Sequence, residues 1–268
     1  MAESVPVGQV PAGLVQAEQV ARDTATRRSM NGVVYAAFGD NRLDARELER
    51  MVEAVPALIA GALTDTAYYF VPLAMSDERE SPTGQQPERN ATMVSPEYTP
   101  ELGDLAICHR NVLLGKTDAV FISTRLLSDR FALSFEFFIN VGHAFSDVAG
   151  VPESFVELAW KHALADVRGE TSQDAWESRG LALAGMKEGG DALLVDEKAR
   201  LRFVEAAFSD AVAIYLLSLS VDFDYSELRE REYPLLAPQA LAERLRLVAK
   251  LFPANDGYEF AIKYRRRG

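Results

Sequence analysis

The chain has one cysteine, Cys108, among its 268 residues, so no disulfide can close within it and no cysteine-built zinc cluster can form. Histidine is nearly as scarce, and His109, His143 and His162 are the only imidazoles. Long apolar runs are missing as well. The best stretch, residues 206–221, falls short of a bilayer and carries Asp210. No basic start followed by an apolar run marks the first thirty residues, so no secretory signal is expected and the reading is cytoplasmic. Positive charge is outweighed too: 28 basic against 40 acidic side chains give a formal charge of −12. Such a surface repels phosphate backbones, which argues against nucleic acid as a general partner. The arginines at 265–267 are a local exception and read as a solvated tail.

What is present suffices for a core, since hydrophobic residues make up 48% of the chain. Residues 1–30 are polar and read as an N-terminal arm, followed by a single domain over 31–268. Within that domain, Leu48, Met51, Val52, Val55 and Ile59 recur at helical spacing in 43–63, with Asp44 as a cap. Residues 66–75 (TAYYFVPLAM) are rich in aromatic and β-favouring side chains and predict a strand. The proline- and charge-rich 77–100 predicts a loop excursion. Two short strands follow, at 105–114 and 118–123. From there the pattern turns helical: an aromatic helix over 129–148, then 152–168, a mixed stretch over 169–190, 197–219 and 238–251. A small mixed sheet followed by a mainly helical C-terminal half is an α+β layout.

Few residues are placed to carry chemistry. The turn from Asp40 to Asp44 resembles a calcium loop only faintly, because Arg42 and Met51 stand where ligands are needed. Cys108 and His109 are neighbours on a strand and point to opposite faces, so they cannot pair. His162 reads as an ordinary helical histidine. The stronger cluster is Glu136, His143 and Asp147, spaced by seven and four on one helical face within an aromatic segment. Ionisable groups there need a partner, a metal or water. His143 and Asp147 could share a metal, or His143 could simply hydrogen-bond Asp147.

The order strand 118–123, short link, and a helix carrying VGHAFSDVAG resembles the core of the zincin metallopeptidases. There a helix bears HExxH, whose histidines bind zinc and whose glutamate activates a water. Residues 204–217 (VEAAFSDAVAIYLL) resemble the later helix of the gluzincin branch, which supplies a third, glutamate ligand and a supporting aspartate. His143 matches the first histidine and Asp210 the aspartate. Ala144 stands at the general-base position, Asp147 at the second histidine, and Ala206 at the third ligand, with Glu205 one residue out of register. One residue of shift turns a helical side chain by about 100°.

The resemblance thus implies a zincin-like scaffold without peptidase chemistry and with no catalytic residue in the motif. The expected function is non-catalytic, through a protein partner or self-assembly, with no membrane role. Two alternatives stand beside it. One is a metal-dependent hydrolase with zinc on His143, Asp147 and Glu205 and with Glu136 as acid or base. The other is a structural subunit of a larger assembly, using the arm, the 77–100 loop and the basic tail.

Overall fold

A computed structural model describes residues 13–76, 92–127, 129–187, 195–223, 228 and 233–261. The architecture is α+β, and the chain divides into two compact units. The first comprises residues 1–28, 34–45 and 65–129; the second comprises 29–33, 46–64 and 130–268.

The first unit carries two sheets. One has the order β1 (Val15–Gln16), β6 (Thr92–Ser95), β5 (Leu73–Ser76), β7 (Ala106–Ile107), paired antiparallel throughout. The other runs β2 (Arg27–Arg28), β3 (Val34–Ala37), β4 (Thr66–Val71), β9 (Thr117–Ser123), β8 (His109–Leu114). In it β3, β4 and β9 are parallel, and the outer strands β2 and β8 are antiparallel to their neighbours. Every residue of β4 is buried, as expected for a central parallel strand rich in aromatics. Tyr69 stacks on Phe121 of β9 with ring centroids 4.8 Å apart.

The sequence predicts one strand over 66–75, but Pro72 splits it into β4 and β5, which belong to different sheets. Proline has no N–H for a ladder, so a break there is the low-cost solution. Ser123 ties the two sheets, accepting from the Ala74 N–H at 2.8 Å and donating to the Ile107 carbonyl. The expected arm also divides. Residues 1–12 lie outside the described residues, whereas α1 (Ala17–Asp23) turns Ala17 and Val20 into the core of this unit. A short helix, α4 (Pro100–Gly103), is capped by the Thr99 hydroxyl. Of the predicted 77–100 excursion, residues 77–91 lie outside the described residues.

The second unit is helical. The predicted helix over 43–63 is two, α2 (Ala45–Glu53) and α3 (Ala57–Ala62), interrupted at Pro56. Then come α5 (Arg130–Ala149), α6 (Glu153–Leu164), α7 (Gln173–Lys187), α8 (Glu197–Ser220) and α9 (Pro238–Leu251). α8 is the spine, packed by α5, α7 and α9. That explains its composition: by length and apolarity alone α8 could span a bilayer, yet 67% of its most apolar window is buried inside the protein. A helix apolar all round is what a core helix looks like. Gly142 sets how closely α5 approaches, since a Cβ there would lie 2.5 Å from the Ser209 carbonyl oxygen of α8.

Candidate functional site

The close approach at Gly142 brings polar groups of α5 and α8 near one another. His143 follows Gly142 on α5 and Asp210 follows Ser209 on α8, and the two side chains interact electrostatically across the helix pair. Asp210 Oδ2 accepts a hydrogen bond from Thr171 Oγ1 at 2.8 Å, and the Ser172 hydroxyl also donates to it. Burial pushes the Asp210 carboxyl above the ordinary carboxylate range. The Ser172 and Thr171 hydroxyls and the His143 charge pull the other way, and Glu170 nearby pushes up again.

Asp210 opens into a cavity of about 370 Å³. Its polar side is Asp210, Thr171, Ser172, Glu136 and Tyr233; its apolar walls include Phe135, Ile139, Ile214, Leu236 and Leu241. The strip that carries Thr171 and Ser172 is fixed from below. Glu170 N–H donates to the Pro234 carbonyl and Leu236 N–H to the Glu170 carbonyl, both at 3.0 Å. The Glu170 carboxylate is fully buried between two arginines, with Arg244 Nη1 at 2.8 Å and Arg179 Nη1 at 3.2 Å. This ion-paired floor holds the rim in one geometry.

The residues expected to act sort clearly. His143 and Asp147 are one turn apart on α5 and both are exposed; Glu205 is exposed on α8. Glu136 shares the α5 face but is half-buried and lines the cavity. Among the described residues, no three histidine, cysteine, aspartate or glutamate side chains gather as a metal-holding group, and His143, Asp147 and Glu205 do not form one. A catalytic zinc needs three protein ligands, a set these side chains do not assemble. Residue 144, next to His143 on α5, is alanine and carries no carboxylate.

His162 is buried and hydrogen-bonds Glu243 through Nε2 at 3.0 Å, joining α6 to α9. The Asp40–Asp44 turn is closed by Leu43 N–H to Asn41 Oδ1 and by an Asp40–Arg42 ion pair, so a cation side chain already meets its carboxylate. Sequence reasoning missed the Thr171–Ser172 rim and the Arg179–Glu170–Arg244 triad. Gly169, placed just before that strip, is the one local signal of a tight backbone approach there.

A carboxylate held in an apolar recess destabilises the fold once it ionises. The unfolded pKa is about 3.9 and the folded one is higher, so the native state holds the proton longer. Stability is then lost as pH rises from the unfolded value through the folded one. Asp210→Asn, which can still accept from Thr171, is expected to raise the thermal midpoint at pH 7 and to leave it unchanged near pH 3. Differential scanning calorimetry at the two pH values checks this; a variant less stable than wild type at pH 7 contradicts it.

No family model matches the chain, and no curated protein matches it.

Proposed function

We propose that this chain works by binding a small molecule in its helical unit, without catalysis, on a scaffold that keeps a zincin-like order of segments. The observation that carries the reading is the cavity at Asp210: a half-buried carboxylate, fixed by two hydroxyls, set in apolar walls. Concave, mostly apolar recesses with a few fixed polar groups are where small ligands bind. A carboxylate kept there at a cost to stability is a common mark of a functional site. Ala144 and the exposed, unassembled His143, Asp147 and Glu205 favour binding over the metal-dependent hydrolase reading.

The assembly reading rests on segments of which residues 1–12, 77–91 and 262–268 lie outside the described residues. No observation on α5 to α9 favours it over the cavity.

The test is a thermal-shift screen of a metabolite collection on wild type and on Ile139→Trp, which fills the recess, with circular dichroism confirming the variant's helical content. Protection of wild type by several degrees, lost in Ile139→Trp, with the compound recovered unchanged by mass spectrometry after hours, supports binding. Turnover of the compound, or one metal per chain that is lost in His143→Ala, overturns it.

A further inference from the structure

A second cavity, of about 350 Å³, adjoins the first and shares Ile214, Leu228 and Leu241 with it. Both run along one stripe of α8. Asp210, Ile214 and Ser218 recur at the helical spacing that stacks side chains on one face, and Val221 follows at the end of the helix. The far end of the second cavity carries Asp222 and Glu259, with Ser218 and Ser220 between them and the apolar middle. The Ser220 Oγ is buried and has no hydrogen-bond partner in the structure. Arg130 at this end donates to the Ser220 carbonyl oxygen at 3.4 Å and lines neither cavity.

The two cavities together therefore have acidic ends and a greasy centre. At the near end the acids are Asp210, Glu136, Asp174 and the ion-paired Glu170; among the described residues no lysine or arginine forms a salt bridge with Asp210, and His143, whose charge acts on it, lines neither cavity. At the centre, Ile214, Leu241 and Leu245 offer no polar atom beyond the backbone. At about 1.5 Å of rise per residue, Ser220 at the end of α8 lies roughly 15 Å from Asp210 along the helix axis.

We propose that the two cavities form one groove for an elongated aliphatic dication, an α,ω-diamine, with one ammonium group at Asp210 and the other at Glu259 at the far end. The proposal rests on the reading that the chain works by binding, and names the ligand class of that site. Each part of the groove selects. A carboxylate facing a recess attracts a cation and repels a second anion. An apolar middle rewards methylene groups and penalises a charge left there without a partner. The groove thus discriminates among amines of one length. A diamine with an all-carbon chain places both charges at carboxylates. Spermine, equal in length to 1,12-diaminododecane, must in addition bury internal ammonium groups against Ile214 and Leu241. A monoamine satisfies one end only.

Isothermal titration calorimetry on the full chain, with α,ω-diaminoalkanes of eight to twelve carbons, tests this. Matched n-alkylamines below their micelle concentrations and spermine are the comparisons. The expected result is one diamine per chain, bound at least about tenfold tighter than the matched monoamine, with 1,12-diaminododecane also ahead of spermine. Asp210→Asn and Glu259→Gln, both close in shape to the native side chains, should each bring the diamine down to the level of the monoamine. Equal affinity for diamine and monoamine, equal affinity for spermine, or indifference to Asp210→Asn overturns the proposal. If no amine binds while a neutral or anionic compound protects the wild type but not Ile139→Trp, the diamine proposal falls and the binding reading stands. If no compound of any charge protects the chain, both fall.

Discussion

Glu170→Ala is expected to destabilise the helical unit by about 3–5 kcal/mol, because it strands two buried guanidinium groups at once. Glu170 and Arg244 are fully buried and Arg179 is 4% exposed. The carboxylate receives Arg244 through both Nη atoms, at 2.8 and 3.3 Å, and Arg179 Nη1 at 3.2 Å. Arg179 has other acceptors, the Val167 and Gly169 carbonyls at 2.7 and 3.1 Å, so it loses less. Arg244 has fewer alternatives. Its Nε already has no partner, and its Cζ lies 5.9 Å from the centre of the Phe203 ring. Removing the carboxylate leaves that cation in a dry site, where an unpaired charge is most costly.

The same physics fixes the controls. Glu170→Gln keeps the shape and one acceptor, so its loss should fall between wild type and alanine. Replacing all three together, Glu170→Leu with Arg179→Met and Arg244→Met, removes the charges as well as their pairing and should recover most of the loss. Urea denaturation followed by circular dichroism measures each. A loss below about 1 kcal/mol for Glu170→Ala is the range of solvent-exposed pairs, and would mean that water reaches the triad in solution.

The triad also shows where sequence reading reaches its limit. Glu170 and Arg244 are 74 positions apart, and Thr171 and Asp210 are 39 apart. No spacing rule joins such pairs. What spacing does fix is the face of a helix, and there the reading holds: α9 follows the predicted 238–251, and α8 and α5 lie within about two residues of their predicted bounds. Glu136, His143 and Asp147 do share α5, as their period requires. Period cannot give depth, however. Glu136 turns into a recess while His143 and Asp147 face solvent, because the neighbouring helices cover only part of α5. The electrostatic influence of His143 on Asp210 follows from Gly142 bringing two backbones together, which shows in the sequence only as one small residue in an apolar helix.

The strands were less legible for a different reason. β2 and β3 hold two and four residues, too few to display a period of two; β2 sits in a polar stretch, and β3 lies in an apolar run, 33–38, too short to tell strand from helix by pattern. Pro56 and Pro72 were visible, but each lies inside a pattern that continues on both sides, so periodicity carried the reading across the break.

Gly169→Ala is expected to cost about 3 kcal/mol and to abolish ligand protection together with it. Two penalties combine at this position. Gly169 has φ +76°, where an L side chain costs about 1–2 kcal/mol. An added Cβ would also lie 2.0 Å from the Leu235 carbonyl oxygen and 2.4 Å from that of Pro234. Both obstacles are backbone, and that backbone is the strip hydrogen-bonded to Glu170. Relief must therefore move Glu170 off its arginines, or Thr171 and Ser172 off Asp210. Gly150→Ala separates the two penalties. Gly150 has φ +70° with nothing within 4 Å of an added Cβ, so it should carry the conformational cost alone, about 1 kcal/mol. Chemical denaturation of both variants gives the steric part as the difference. A gap of about 2 kcal/mol, with the tested ligand no longer raising the midpoint of Gly169→Ala, means the strip is rigid and sets the rim of the cavity. Equal losses would mean that the Pro234–Leu235 segment yields freely, and Asp210 would then owe its position to α8 alone.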